Sequence, residues 1–159
     1  MEGICERGGK IIIVGSIAHN YSKTDEGDID FKTRKKASRV YGNAKRFVMF
    51  SSFGLLQNDN CPEISVCHPG ITFTGITSHY PKLVFAFIKH PMKVIFMHRE
   101  KAALSILKGI FDSTDKNEWI GPRVFNVWGL PKKQKLKTVS DKEYSFICDT
   151  AEKIFSELN

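Results

Sequence analysis

The chain has 159 residues, of which 42% are hydrophobic and 26% charged, and its formal net charge is +7. This length suits one domain with a modest core, and the 12 Phe with many Ile, Val and Leu exclude an intrinsically disordered chain. The four cysteines form no Cys-x-x-Cys pair, so they predict neither a metal site nor a disulfide framework and favour free thiols in the cytoplasm. We expect no signal peptide, since the first residues contain no long apolar run.

The first element in chain order is a strand over Lys10–Val14. Its continuous β-branched run is bounded by glycines and is typical of a strand buried on both faces of a parallel sheet. A polar loop over 20–31 follows. Apolar residues then recur at helical spacing and predict one long helix over 37–56, which leads to a short strand over Glu63–Cys67.

The second half begins with an apolar segment over 75–97, which Lys89, His90 and Pro91 interrupt. Each uninterrupted piece is far shorter than the roughly 20 residues that span a bilayer, which favours core or lid helices. Peripheral contact with a membrane stays open, because basic residues flank the apolar pieces. The remaining predictions are a helix over Arg99–Phe111, a third strand over 123–128, a basic loop over 132–137, and a helix over 141–158 that Ser140 or Asp141 could cap.

Strands therefore alternate with helices along the chain. This order predicts an α/β fold with a parallel sheet of about three strands, right-handed crossovers and flanking helices, in a single domain over 1–159. The positive charge is compatible with a basic solvated surface, or with attraction to a phosphorylated cofactor or anionic lipid. Nucleic acid is disfavoured, because no zinc finger or RNA-binding aromatic signature accompanies the lysines.

Tyr41 and Lys45 are the first candidate catalytic residues. They are four residues apart on the predicted helix and therefore share a face. An ammonium near a phenol favours the phenolate, and a tyrosine tuned in this way can exchange a proton with an alcohol or carbonyl. The alternative is a half-exposed tyrosine beside a solvated lysine.

Polar residues also follow the first two predicted strands. Ser16 comes directly after the first strand, where its hydroxyl could bind a substrate oxygen or could serve only the turn. His68, Pro69 and Gly70 follow the second strand, and the glycine would let the backbone approach a ligand closely. Thr74 and Thr72 add hydroxyls nearby. His68 itself is interpreted as a packed or orienting histidine rather than a metal ligand.

Taken together, these motifs resemble the short-chain dehydrogenase/reductase family. The matching stretches are 12–16 with Ala18 and His19, 41–45, and 68–74. The long insert before Tyr41, with Asp30 and Phe31, and the apolar stretch 85–91 are similar to the retinol-dehydrogenase-like branch.

The resemblance implies an oxidoreductase with a Rossmann-type, doubly wound sheet that interconverts an alcohol and a carbonyl with NAD or NADP. Tyr41 would be the catalytic acid/base, Lys45 would lower its pKa and hold the nicotinamide ribose, and Ser16 would position the substrate oxygen. The residues implied to line the nicotinamide are Pro69, Gly70, Ile71 and Thr74.

The chain departs from the family at the phosphate-binding loop. No two glycines have the Gly-x-Gly spacing of that loop. We therefore expect a partial Rossmann-type sheet that corresponds to the C-terminal half of the family's domain, with an apolar strand edge exposed at Lys10–Val14. Catalysis by this chain alone should be impaired. The alternatives are a non-catalytic remnant and a subunit completed by a partner, which could be a second copy or a chain supplying the N-terminal half.

Overall fold

The structure is a computed structural model that describes residues 2–29, 31–33, 36–56, 62–72, 96–137 and 139–158. In chain order the elements are α1 Glu2–Cys5, β1 Lys10–Val14, a 3₁₀ helix Ile17–Tyr21, α2 Ala37–Leu55, β2 Glu63–Cys67, α3 Arg99–Phe111, β3 Glu118–Val124, β4 Trp128–Lys135 and α4 Asp141–Glu157. The predicted α/β class is confirmed.

The described strands form one sheet in the order β1-β2-β3-β4. β1 pairs with β2 in parallel and β2 pairs with β3 in parallel, whereas β4 runs antiparallel to β3. The first two strands are in register over their whole length, from Lys10 opposite Glu63 to Val14 opposite Cys67. The carboxyl ends of β1 and β2 therefore lie side by side, and a bond of 2.8 Å from the Gly15 amide to the Cys67 carbonyl extends the ladder beyond them.

Helices cover both faces of this sheet. Val66 of β2 joins α2 and α4 in the main hydrophobic core, whose members are Met49, Phe50, Phe53, Val66, Trp119, Leu136 and Ile147. Ser65 faces the other side, where its hydroxyl donates to the Asp112 carbonyl at the end of α3. This opposite placement follows from the two-residue period of a strand.

Several predicted elements agree with the structure. The strands Lys10–Val14 and Glu63–Cys67 and the helix Arg99–Phe111 have the predicted bounds, and the long helices end within one residue of them. Ser140 caps α4, since its hydroxyl accepts a bond from the Glu143 amide. The apolar segment over 75–97 lies almost entirely outside the described residues, as do Asp30 and Thr74.

The third predicted strand, 123–128, is wrong. These residues span the turn between two longer strands, and the predicted basic loop 132–137 is mostly strand β4. The sheet consequently has four described strands rather than about three. The two central residues of the turn are Phe125 and Asn126, so the glycine that usually indicates a hairpin is missing. The strand β4 is largely exposed, so it also lacks the regular pattern of buried residues that indicates a strand.

The prediction that β1 is buried on both faces is also wrong. Its side chains are only partly buried, and Val14 is 40% exposed. Among the described residues β1 has a neighbour on one side only. The expected apolar edge is therefore present at β1.

Candidate active site

Ser16 starts the turn that follows β1. Its hydroxyl accepts a bond of 3.2 Å from the Ala18 amide and so caps the short 3₁₀ helix. Its carbonyl accepts a bond of 2.6 Å from Nδ1 of His19. The serine thus serves the turn, as one of the two sequence interpretations has it, while its hydroxyl hydrogen can still be donated to another oxygen.

Tyr41 and Lys45 lie together on α2 as predicted. The Lys45 Nζ is 5.8 Å from the centroid of the Tyr41 ring, and Tyr41 is 50% exposed. The same Nζ donates a bond of 2.8 Å to the Val14 carbonyl, the last of β1. Lys45 therefore connects the tyrosine to the carboxyl end of the strand that leads into Ser16.

Gly42 explains how α2 comes so close to that turn. A Cβ at this position would lie 2.5 Å from the Ala18 carbonyl oxygen and 3.1 Å from Cβ of Ser22. The helix can approach the 3₁₀ segment this closely only because the position has no side chain. The approach brings Tyr41 and Lys45 to the end of β1.

Pro69, Gly70 and Ile71 follow β2, beside the turn after β1. Gly70 has a φ of +84°, and a Cβ there would lie 2.9 Å from Cε of Met97 and 3.0 Å from Cγ of Pro122. The Ile71 carbonyl accepts a bond of 2.9 Å from the Met97 amide. Protein atoms thus account for the glycine at position 70 without any ligand.

Two buried histidines flank Trp119, and no pattern in the sequence indicates that they meet. The His68 ring stacks on Trp119 with centroids 4.8 Å apart, and the His19 ring meets the same indole edge-on at 5.4 Å. Burial lowers the pKa of His68 to about 4 and also lowers the pKa of His19. Both imidazoles are therefore neutral at pH 7, and His68 is a packed histidine, as predicted.

The hydrogen bonds of the two rings fix their tautomers. His68 Nε2 donates a bond of 3.0 Å to the Asn126 carbonyl, and His19 Nδ1 donates to the Ser16 carbonyl. In neutral His19 the other nitrogen is then an acceptor. That nitrogen is buried and meets no partner among the described residues.

A second polar group missed by the sequence analysis ties α2 to α4. Arg46 forms a two-pronged ion pair with Glu143, with Nε–Oε1 and Nη2–Oε2 distances of 2.5 and 2.8 Å. Thr24 donates to the same carboxylate, and Arg46 also donates a bond of 3.0 Å to the His19 carbonyl. The bonds from Arg46 and Thr24 lower the pKa of Glu143 to about 2. This network holds the 3₁₀ turn against both helices.

Two polar clefts lie beside the 3₁₀ helix. One, of about 510 Å³, has His19, Arg46, Asn126 and Lys135 in its lining. The other, of about 930 Å³, is lined by residues 21–27 with Thr33, Lys36, Arg39 and Lys142. The linings of these two clefts do not include Tyr41 or Lys45.

Comparison with protein-family models, with curated proteins and with solved structures gives no match for this chain. Among the described helices, none combines the length and apolarity needed to cross a membrane.

Proposed function

We propose that this chain carries the proton-transfer residues of an NAD(P)-dependent oxidoreductase that interconverts an alcohol and a carbonyl. The observation that supports the proposal is the placement of Lys45 beside Tyr41 and on the Val14 carbonyl, at the strand end that Ser16 follows. In open parallel sheets this end of the strands is where ligands bind.

Each of the three candidate residues would have its own role in the reaction. Tyr41 would give its hydroxyl proton to a carbonyl oxygen, or take the proton of an alcohol, and its half-exposed ring leaves that hydroxyl open to a small substrate. Lys45, held beside the Tyr41 ring by its bond to the Val14 carbonyl, would bind the nicotinamide ribose. The Ser16 hydroxyl would orient the reacting oxygen. The nicotinamide cofactor, when bound, supplies or accepts the hydride.

The fit of the described residues to the cofactor is uneven. Lys45 has three N–H donors and uses one on Val14, so two can reach a ribose hydroxyl. Gly70, in contrast, is packed against Met97 and Pro122. With no Gly-x-Gly loop in the sequence for the pyrophosphate, we expect binding to rest on the nicotinamide ribose and to be weak.

A fluorescence titration with three reduced nicotinamides tests this proposal. Reduced nicotinamide mononucleotide lacks the adenosine half, so it should bind about as well as NADH or NADPH. The variant Lys45→Met should weaken all three by about tenfold or more, the loss expected when a charged hydrogen bond is removed. Tyr41→Phe should keep binding and lose turnover.

The titration can also contradict the proposal. If the folded chain binds none of the three nicotinamides, the proposed site is wrong. If NADH binds much more tightly than the mononucleotide, the chain holds the pyrophosphate by other means and the expectation of weak binding is wrong.

The β1 edge favours a second candidate, a subunit whose sheet is completed by another chain. In the parallel ladder the Gly15 amide bonds to β2, so the backbone groups of Ile11 and Ile13 face β2 while those of Lys10, Ile12 and Val14 face outward. Outward-facing groups on an Ile-rich strand are a template for pairing. Lys45 already covers one of them, the Val14 carbonyl.

A further inference from the structure

The tip of the β3–β4 hairpin exposes large apolar side chains. Phe125 is 81% exposed, Leu130 65% and Trp128 37%. We call these three residues the hairpin patch. Trp128 and Leu130 also line a cleft of about 440 Å³, whose other walls include the half-buried Phe96 and Leu104 beside the exposed His98 and Lys101. The patch is thus continuous with further apolar surface, in contrast to the scattered single side chains that any soluble protein exposes.

The backbone at the tip is strained at Phe125 and Asn126. Phe125 and Asn126 have φ values of +50° and +58°, and the Val127 amide donates to the Val124 carbonyl at 2.9 Å, which closes a type I′ turn. Asn and Gly adopt these angles readily, whereas a bulky aromatic residue rarely does. The bond from His68 to the Asn126 carbonyl helps to hold the turn.

The charged residues of the segment that carries the patch are all of one sign. The segment 123–137 contains five basic residues and no acidic one; the basic residues are Arg123, Lys132, Lys133, Lys135 and Lys137. All five are exposed. A strand rises about 3.3 Å per residue, so Lys132 lies about 13 Å behind Trp128 along β4. The apolar tip is therefore followed by a positive band at a depth that matches lipid headgroups behind an inserted side chain.

We propose that the hairpin patch docks on an anionic lipid surface, with Phe125, Trp128 and Leu130 at the acyl boundary and the lysines of β4 at the headgroups. Aromatic and aliphatic side chains together suit this boundary, and clustered lysines are drawn to acidic lipids. A nucleic acid would bind the aromatic rings and the lysines but would leave Leu130 without a contact. A second copy of this chain would bring an equally positive band against the first.

Vesicle binding of the full chain tests the proposal. The chain should sediment with vesicles of phosphatidylcholine mixed with phosphatidylserine, much less with phosphatidylcholine alone, and less as salt is raised. Trp119 is buried and Trp128 is exposed, so binding should shift the fluorescence to the blue. Brominated lipid should quench it, and Trp128→Phe should abolish the blue shift.

Two variants separate docking from folding. Phe125→Asn should weaken vesicle binding by about tenfold, because an apolar ring no longer leaves water. The same variant should raise stability, because asparagine tolerates the positive φ. Lys132→Gln with Lys133→Gln should weaken binding by about 30-fold. The control Lys142→Gln with Lys153→Gln on α4 removes the same charge and should have a much smaller effect.

Several results would overturn the proposal. These are no binding to acidic vesicles, unchanged binding of Phe125→Asn, or equal losses in the two lysine pairs, which would indicate unspecific charge attraction. Concentration-dependent dimerisation that Phe125→Asn abolishes, without vesicle binding, would assign the patch to a second copy instead.

Discussion

At the scale of single residues, the two histidines around Trp119 illustrate how the core tolerates polar groups. Each imidazole is buried, each donates one ring N–H to a backbone carbonyl, and each packs against the same indole. Burial then favours the neutral form, because charge is costly away from water. The histidines therefore make the stability of the fold depend on pH.

His68 gives the clearest pH prediction. Its pKa is lowered by burial from 6.5 to about 4, so the unfolded chain binds more protons between those pH values. The free energy of unfolding should therefore keep its full value above pH 6.5 and should fall by about 3 kcal/mol as the pH decreases to 4. Urea unfolding at a series of pH values measures this decrease.

The variant His68→Phe keeps a flat ring on Trp119 and removes the titrating group. It should lose stability at pH 7, about 1 kcal/mol for the missing hydrogen bond, but its stability should depend less on pH between 6.5 and 4. The exposed His98 is the control, and His98→Gln should keep the pH dependence of the wild type. A His68→Phe curve parallel to the wild type would contradict the prediction.

Glu143, with its pKa near 2, loses its contribution to stability at lower pH, from 4.5 downward.

At the scale of elements, α2 positions the candidate site. Its buried side packs Met49, Phe50 and Phe53 into the core, and its first turns lie against the 3₁₀ helix through Gly42. The apolar periodicity that predicted the helix indicates only which side of it faces the core. The contact through Gly42 involves a backbone carbonyl 24 residues earlier, which no local pattern encodes.

The variant Gly42→Ala tests this contact, because the sign of its effect on the free energy of unfolding depends on it. In an ordinary helix interior, alanine is about 1 kcal/mol more favourable than glycine. Here the new Cβ would lie 2.5 Å from the Ala18 carbonyl, so we expect a loss of about 1–3 kcal/mol in the free energy of unfolding. The control Gly27→Ala places its Cβ 3.6 Å from an exposed Asp25 side chain and should be neutral or slightly stabilising. A stabilised Gly42→Ala protein would show that the helix does not approach this closely.

At the scale of the whole molecule, the sheet has two unlike edges among the described strands. β4 carries three lysines and Pro131, and lysine and proline are residues with which natural edge strands avoid unwanted pairing. β1 is apolar and carries this protection only at its ends, from Lys10 and from the Lys45 side chain on Val14. Association through β1 is therefore the expected behaviour of the chain.

A pair of proline variants tests association at β1. Ile12→Pro removes an outward-facing amide and should reduce association while leaving the fold largely intact. Ile11→Pro removes an amide that faces β2 and should cost about 1–3 kcal/mol, because the carbonyl on β2 loses its partner. Sedimentation over a range of concentrations measures association, and urea unfolding measures stability. A wild-type chain that stays monomeric and binds no hydrophobic dye would contradict the expectation.

The sequence by itself determined β1, β2 and the three long helices, because the period of buried residues is a local property of strands and helices. It also predicted that Ser16 and His68 each follow the end of a strand, and the structure shows that the two strands are neighbours. Only the tertiary structure decided the hairpin at Phe125 and Asn126, the Lys45 bond to Val14 and the pairing of His19 with His68 around Trp119. The Lys45 bond and the histidine pairing depend on groups far apart in the chain, and a periodic pattern carries no information about which distant group will be met. The hairpin is local, but its central residues Phe125 and Asn126 are not the Asn-Gly pair that signals such a turn.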